Sequence, residues 1–171
     1  MTEENFQKKL GSWMVILGWI LILGLLSMYF SKYLDKQHNP NQDIEFTQTG
    51  INKEIELQRN RYGHYVADGK INNQAVVFIL DTGATDISIP EQVAQRLKLR
   101  AGMKFTVNTA NGEIAVYGTR LDSVSLGPIT LQDVNANINP YFDGEEILLG
   151  MSFLKHLHFS QHGDKLLIRQ Y

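Results

Sequence analysis

The chain has 171 residues, with 16 basic and 18 acidic side chains and a formal net charge of −2. That length suits one folded domain with a short appendage, and the near-neutral charge argues against a nucleic-acid-binding protein. The chain has no cysteine, which excludes disulfides, thiolate nucleophiles and cysteine-ligated metal sites.

The first predicted element is a transmembrane helix over residues 10–31, which follows a short tail of residues 1–9. The span is a run of 22 uncharged residues, and as a helix it would cover about 33 Å, enough to cross a bilayer core. Trp13 and Tyr29 lie near its ends and resemble interfacial anchors. A secretory signal peptide is the alternative, but the apolar run is longer than such peptides have and no small-residue cleavage site follows it.

A polar segment of residues 32–54 comes next. It has neither a helical nor a strand period, which predicts a flexible tether. Lysines flank the span on both sides in nearly equal number, so charge leaves the orientation of the helix open. The short tail before a single span favours an N-terminus on the inner side of the membrane.

Residues 55–171 have the short alternating segments and turn signals of an all-β domain with one or two short helices. The run from Ala75 to Leu80 is apolar on both faces, which predicts a central, buried strand. Four hairpin turns are predicted, at Asn72-Asn73, at residues 109–112, at Gly127-Pro128 and at residues 162–164.

Two short helices are predicted within this domain. One begins near Pro90, with Ser88 and Glu91 spaced as a capping box. The other covers residues 151–157.

The residues that point to chemistry are Asp81-Thr82-Gly83-Ala84-Thr85, directly after the apolar strand. An aspartate held rigidly beside a second carboxylate can share one proton with it. The charged group then accepts a proton from water, and the neutral one donates to the carbonyl under attack. Gly83 allows close approach of the backbone, and Thr82 supplies a hydroxyl that can lock the loop. The pattern indicates peptide hydrolysis without a covalent intermediate, although Asp-Thr-Gly also makes ordinary turns.

The segment from Val77 to Thr85 resembles the active-site segment of retropepsin-like aspartic proteases, and in particular of their membrane-anchored bacterial branch. Ile147-Leu148-Leu149-Gly150 resembles the strand that supports the catalytic loop in that family. Three further runs are similar to the bacterial branch, namely residues 63–66, 148–154 and 166–170. The resemblance implies an all-β, retropepsin-like acid-protease barrel half over residues 55–171.

The resemblance also implies roles for single residues. Asp81 would be catalytic, with Thr82, Gly83, Ala84 and Thr85 supporting the loop and lining the substrate, and with Leu148, Leu149 and Gly150 supporting it from the neighbouring strand. Ala110, Asn111 and Gly112 would form the tip of a flap over a bound peptide. Asp86 is an additional acid beside the motif, and it is either a surface residue or a group that tunes the site.

The chain contains one Asp-Thr-Gly, whereas the mechanism needs two aspartates. An enzyme of this kind must therefore be a homodimer with a two-fold axis between the two copies of Asp81. The resemblance implies that terminal strands join this interface, which points to Lys165–Tyr171.

No metal or other cofactor is expected. His156, His158 and His162 have no acid or cysteine at a familiar ligand spacing, and no serine lies in a nucleophile elbow.

Two functions remain open from the sequence. The first is a homodimeric aspartic endopeptidase that is anchored in the lipid bilayer by residues 10–31 and cleaves peptides or proteins. The second is a non-catalytic, dimeric peptide-binding or scaffold protein of the cell envelope that retains the protease fold. In either case we expect a single-pass inner-membrane protein with a periplasmic domain. The sequence does not identify the substrate.

Overall fold

The computed structural model describes residues 3–109 and 112–171, with side chains from residue 11 onward. The chain divides into two units, residues 1–37 and 38–171. The first unit is helical. Helix α1 (Glu3–His38) contains one stretch, Gly11–His38, that is long and apolar enough to cross a membrane. Within Gly11–His38 the large apolar side chains are exposed, as expected of a helix without a polar face.

The second unit is built mainly from β-strands, in two sheets. The strands of this unit are β1 (Glu45–Thr49), β2 (Asn52–Gln58), β3 (Val66–Ile71), β4 (Gln74–Leu80), β5 (Ile87–Pro90), β6 (Lys104–Thr109), β7 (Gly112–Leu126), β8 (Ile129–Asn139), β9 (Glu146–Leu149), β10 (His158–His162) and β11 (Lys165–Gln170). The smaller sheet has the order β1-β2-β11-β10 and the larger one the order β3-β4-β9-β5-β8-β7-β6. Two short helices, α2 (Glu91–Arg96) and α3 (Met151–Leu154), lie between strands.

The larger sheet closes on itself, because β3 pairs with β7 as well as with β4. Its interior is a single apolar core to which both sheets and both short helices contribute. The largest side chains with no exposed surface in that core include Phe78, Phe153, Ile55, Leu57, Ile87, Ile89, Leu121 and Leu149. This mostly-β architecture with few short helices confirms the all-β fold class predicted from the sequence.

The predicted turns form where their residues tolerate a left-handed backbone. Asn72 and Asn73 have φ of 48° and 63° and join β3 to β4, as a two-residue hairpin requires. Gly127, at φ 56°, joins β7 to β8, and Gly163, at φ 60°, joins β10 to β11. The hairpin between β6 and β7 also forms, with Thr109 paired to Gly112.

Two predictions about local structure are wrong. Strand β4 is central, because it pairs with β3 and β9, but Val76 and Phe78 are buried whereas Val77 and Ile79, on its other face, are only half-buried. A closed sheet has one face toward the core, and no helix covers the other face of β4. The capping box is absent as well, because Pro90 is the N-cap of α2 and no side chain caps the helix.

Ser88 instead lies within β5, where its buried hydroxyl donates a hydrogen bond to Asn137 Oδ1 over 2.9 Å. The second predicted helix, over residues 151–157, is shorter than expected, since α3 ends at Leu154.

The prediction of a flexible tether over residues 32–54 is also wrong. Helix α1 extends into this segment and ends at His38. Later in the same segment, β1 and the start of β2 form a hairpin. Between them, Asn41 is buried. Its Nδ2 donates to the carbonyl oxygens of Gln58 and Val66 over 2.9 and 2.6 Å, and its Oδ1 accepts from the Gln58 amide over 2.6 Å. Asn41 therefore joins β2 of one sheet to β3 of the other.

The side chains of Asn39, Asn60 and Asp68 complete a polar cluster around Asn41. Asn39 Nδ2 donates to Asp68 Oδ1 over 2.6 Å, and Asn60 Nδ2 donates to the His38 carbonyl over 2.9 Å. Residues 38–41 are thus an ordered part of the folded unit.

Strand β11 also differs from expectation. It lies inside the smaller sheet, with β2 on one side and β10 on the other. Both of its edges are therefore occupied within one chain, and Lys165–Tyr171 cannot add a strand to a partner in the way that the resemblance implied.

Candidate active site

Asp81 is held at the point where β4 ends, beside the parallel strand β9. The Asp81 amide donates to the Leu149 carbonyl over 3.2 Å, which continues the pairing of Leu80 with Leu149 by one residue. One side-chain oxygen, Oδ1, accepts a hydrogen bond from the Gly83 amide over 2.8 Å. A Cβ at position 83 would lie 3.2 Å from that oxygen. The glycine therefore leaves room for this short turn around the carboxylate.

The loop from Asp81 to Thr85 is tied to the start of α3 by the backbone. The amides of Met151 and Ser152 donate to the carbonyls of Ala84 and Thr85, each over 2.8 Å. These two amides belong to the first turn of α3, where no intrahelical acceptor is available to them. The loop carbonyls satisfy both amides, so the start of α3 and the loop from Asp81 to Thr85 hold each other in place.

Gly150 makes this contact possible. A Cβ at position 150 would lie 2.3 Å from the Asp86 carbonyl oxygen and 2.7 Å from that of Ala84. Both neighbours are backbone atoms that cannot swing away, so residue 150 must be glycine for the loop and α3 to pack this closely. Leu149, whose carbonyl accepts the Asp81 amide, is buried, and Leu148 is half-buried within β9.

A contribution that the sequence reasoning missed comes from Ser152. Its Oγ accepts a hydrogen bond from the Ile87 amide over 3.0 Å, which fixes the start of β5 just beyond the loop. In the sequence analysis Ser152 belongs to the 148–154 run that resembles the bacterial branch, and no structural role was assigned to it. The sequence feature that could have indicated this role is the position of Ser152, two residues after Gly150.

The tip of the loop faces outward. Thr82, Gly83 and Thr85 are exposed or half-buried, as are Asp81 and Ala84. Across the part of the chain that the structure describes, the Thr82 hydroxyl has no hydrogen-bond partner, and neither does the second carboxylate oxygen of Asp81. A rigid backbone thus carries an aspartate and a hydroxyl whose bonding capacity is not used within one chain.

The predicted flap falls partly outside the described residues, since Ala110 and Asn111 are not among them. Gly112, the third predicted flap residue, is exposed, with φ at +110° and no heavy atom within 4 Å of the position that a Cβ would occupy. Thr109 Oγ1 donates to the Gly112 carbonyl over 2.8 Å and closes the base of the turn.

A cleft of about 380 Å³ lies on the outer side of the loop. Asp86 lines one wall, Lys155 and His156 line another, and Asp133 lies on the β8 side. Arg120 forms an ion pair and hydrogen bonds with Asp133, and these contacts hold the pKa of the Asp133 carboxyl below its usual value. Polar and apolar side chains both line this cleft, and it places charged groups near the loop, although Asp81 is not among its lining residues.

Metal-ion binding is the alternative chemistry for a cluster of acids and histidines. Within residues 11–109 and 112–171, no group of three or more histidine, aspartate or glutamate side chains is arranged to hold a metal ion.

Residues 67–156, more than half of the chain, match the sequence family described as "gag-polyprotein putative aspartyl protease". The chain belongs to the retropepsin-like aspartic protease family. A retropepsin-like aspartic protease from Rickettsia conorii has a similar crystal structure, with a TM-score of 0.59 and 31% identity. The match covers 74% of this chain and 96% of that one.

Two curated relatives of this retropepsin-like chain are uncharacterised proteins. One, from a Sinorhizobium species, is encoded in the cobV 5′ region and is 31% identical over 134 residues, which is 76% of this chain and 58% of that protein. The other is RP867 from Rickettsia prowazekii, 31% identical over 121 residues, or 69% of this chain and 52% of that protein. The chain thus spans just over half the length of the curated relatives it matches.

Proposed function

We propose that this chain is a membrane-anchored aspartic endopeptidase that is active as a homodimer. The observation that carries the proposal is the single Asp-Thr-Gly loop. Backbone bonds to β9 and α3 make it rigid, while it presents Asp81 and Thr82 at the surface with unused hydrogen-bonding capacity. One chain supplies one aspartate, so a second copy must supply the other.

The proposed chemistry needs the two copies of Asp81 close enough to share one proton. The ionised carboxylate accepts a proton from a water molecule, and the neutral carboxyl donates its proton to the carbonyl oxygen of the substrate. Water oxygen bonds to the carbonyl carbon and gives a tetrahedral diol. When the carbon–nitrogen bond breaks, the departing nitrogen takes a proton from the pair of carboxyl groups. One hydroxyl of the diol returns a proton to the same pair.

The neighbouring residues take supporting roles in this proposal. The Gly83 amide holds Asp81 Oδ1 and so orients the carboxylate toward the two-fold axis. The exposed Thr82 hydroxyl hydrogen-bonds across the interface, and Gly83 and Ala84 line the substrate backbone. Ala110, Asn111 and Gly112 close over the bound peptide and exclude water from the reaction.

Helix α1 supplies the membrane anchor, because Gly11–His38 is long and apolar enough to span a bilayer. Anchoring restricts the chains to a surface, which raises their effective concentration and favours pairing. We place the N-terminus in the cytoplasm and the catalytic domain in the periplasm of a single-pass inner-membrane protein. A reporter fused after Tyr171 tests this orientation, and activity of the reporter only in the cytoplasm would reverse it.

The test of the enzymatic proposal is cleavage of a peptide library by the full chain in detergent micelles, from about pH 4 to pH 8. Asp81→Asn should abolish turnover without changing thermal stability by more than a small amount. Asp143→Asn is the control for the substitution itself, because Asp143 is an exposed aspartate that lies outside the Asp-Thr-Gly motif. We expect this control to keep full turnover.

Specific activity should rise with the protein-to-detergent ratio, since two chains make one site and the anchor confines both to the micelle. A folded, dimeric chain that cleaves nothing at any pH would contradict the endopeptidase and favour the peptide-binding alternative.

A further inference from the structure

The face of β4 that carries Asp81 also carries half-buried apolar side chains. Side chains alternate along a strand, and the Asp81 amide continues the pairing with β9, so Val77, Ile79 and Asp81 lie on one face. Leu148 of β9 pairs with Ile79 and lies on the same face. Phe78 points the other way and is fully buried in the core. The outer face therefore forms an apolar floor (Val77, Ile79 and Leu148) that leads away from Asp81.

The apolar floor ends at a glutamate. Glu146 pairs with Val77 and lies on the same face as Leu148. It is separated from Asp81 by four residue positions along the strand, or about 13 Å. His38 Nε2 donates a hydrogen bond to Glu146 Oε1, and the Glu146 side chain is 26% exposed. Its second carboxylate oxygen has no hydrogen-bond partner among the described residues, so it is free to accept one from a ligand.

His38, which holds this carboxylate, is itself held from two further sides. Its carbonyl accepts a hydrogen bond from Asn60 Nδ2 over 2.9 Å, and its ring meets the Tyr62 ring edge-on, with 6.2 Å between centroids. Asn60 Oδ1 accepts the Tyr62 amide over 2.9 Å, which fixes the position of that ring. None of these three residues belongs to the stretch 67–156 that matches the family. The setting of Glu146 is therefore supplied by the part of this chain that precedes the family match.

Resting on the endopeptidase of the proposed function, we propose that Glu146 selects substrates with a lysine or arginine beside the scissile bond and that His38 positions its carboxylate. Such a side chain has a long apolar stem and a cationic head. The stem lies on Ile79 and Leu148, and the head donates a charge-assisted hydrogen bond to the free oxygen of Glu146. Because the proposed enzyme has two-fold symmetry, each chain provides one such subsite, and the two lie on opposite sides of the scissile bond.

The test compares two peptide libraries that are random except for one central position, which is lysine in one and methionine in the other. Methionine supplies an apolar stem without the charge. For the full chain in micelles, with peptides far below KM, cleavage beside the fixed position should be about tenfold faster with lysine, as one hydrogen bond to a charged group provides. Glu146→Gln should remove this difference and keep cleavage of the methionine library. Glu145→Gln is the matched control, because Glu145 is the adjacent glutamate and pairs with Arg96 instead.

His38 is a positioning residue, and two substitutions test that role. His38→Ala should lower the preference for lysine severalfold, because the carboxylate loses the group that orients it. His38→Gln should restore most of the preference, since the glutamine amide also supplies an N–H donor. A merely structural role would slow cleavage of both libraries equally and leave their ratio unchanged, which would contradict the positioning role.

Binding to the Asp81→Asn chain separates this inference from the proposed function. That chain should bind the lysine library about tenfold more tightly than the methionine library, and adding Glu146→Gln should abolish the difference. If the natural chain cleaves neither library but this binding preference depends on Glu146, the subsite is supported and the endopeptidase is contradicted. Equal cleavage of the two libraries, or a preference for lysine that survives Glu146→Gln, would support the endopeptidase and overturn the subsite. Equal or undetectable binding of both libraries would also overturn it.

Discussion

Replacing Gly150 by alanine should damage the catalytic loop more than any other single methyl group added to the folded unit. The new Cβ would lie 2.3 Å from the Asp86 carbonyl oxygen and 2.7 Å from the Ala84 carbonyl oxygen. Nonbonded heavy atoms attract at about 3.5 Å, so at least one of these peptide groups must move by about 1 Å. The Ala84 carbonyl accepts the Met151 amide, and its movement breaks the junction between loop and helix.

The cost can be summed from the contacts at that junction. Overpacking a close-packed site costs about 1–3 kcal/mol, and each of the two backbone hydrogen bonds from α3 to the loop contributes about 1 kcal/mol. We therefore expect a loss of about 3–5 kcal/mol in the free energy of unfolding, which lowers Tm by about 10–20 °C for a domain of this size. The rate of peptide cleavage should fall by more than the loss of folded protein explains, because the displaced loop contains Asp81.

Differential scanning calorimetry of the full chain is the appropriate assay. Both tryptophans, Trp13 and Trp19, lie in α1, so tryptophan fluorescence would report the helix and not the folded unit. Gly118→Ala is the matched control, since its Cβ would meet atoms no closer than 3.5 Å. We expect Gly118→Ala to change Tm by at most a few degrees. A Gly150→Ala chain that melts with the control and keeps its turnover would refute the steric argument.

Three further predictions concern the polar cluster around Asn41. Asn41→Ala should lower the free energy of unfolding by about 2–4 kcal/mol, measured by urea denaturation, because it leaves buried backbone groups unpaired; a chain as stable as wild type would contradict this. Burial raises the pKa of Asp68 above its ordinary value, although the hydrogen bond from Asn39 opposes the shift. Folded Asp68 therefore binds a proton more readily than the unfolded chain does, and its contribution to stability declines as pH rises from its ordinary pKa through the raised value. Asp68→Asn should accordingly gain in Tm relative to wild type across that range, and a relative loss would be inconsistent with the shift. Finally, a chain that begins at His38 should melt well above one that begins at Glu45, whereas equal melting temperatures would show that the cluster adds nothing.

The parts of the fold that were predicted correctly depend on local chemistry. Asn72 and Asn73 tolerate positive φ, so the two residues predict their own hairpin without knowledge of anything distant. The same holds for Gly127 and Gly163 at their turns. The loop at Asp81 was predictable for a similar reason, since an apolar strand and a short, specific motif adjoin in sequence.

The error at residues 32–54 has the opposite cause. Asn41 is polar, and in sequence it adds to the appearance of a solvated tether. Its hydrogen-bond partners, Gln58 and Val66, lie 17 and 25 positions away, and all of them are backbone atoms. A pattern of side chains contains no information about which distant backbone groups will lack a partner. The role of Ser152 at the Ile87 amide, 65 positions away, was missed for the same reason.

The loop from Asp81 to Thr85 makes two kinds of interaction, and substitutions that affect them should have different consequences. Its backbone is satisfied within one chain by β9 and α3, so changes at Gly150 should act at any protein concentration. The Thr82 hydroxyl and the free oxygen of Asp81 lie at the surface, so under the proposed homodimer they are satisfied only across the two-fold axis. Substitutions at residues that contact the second copy should then lower activity mainly at low protein concentration, and high concentration should restore it. Concentration dependence thus separates residues that shape the loop from residues that bring two loops together.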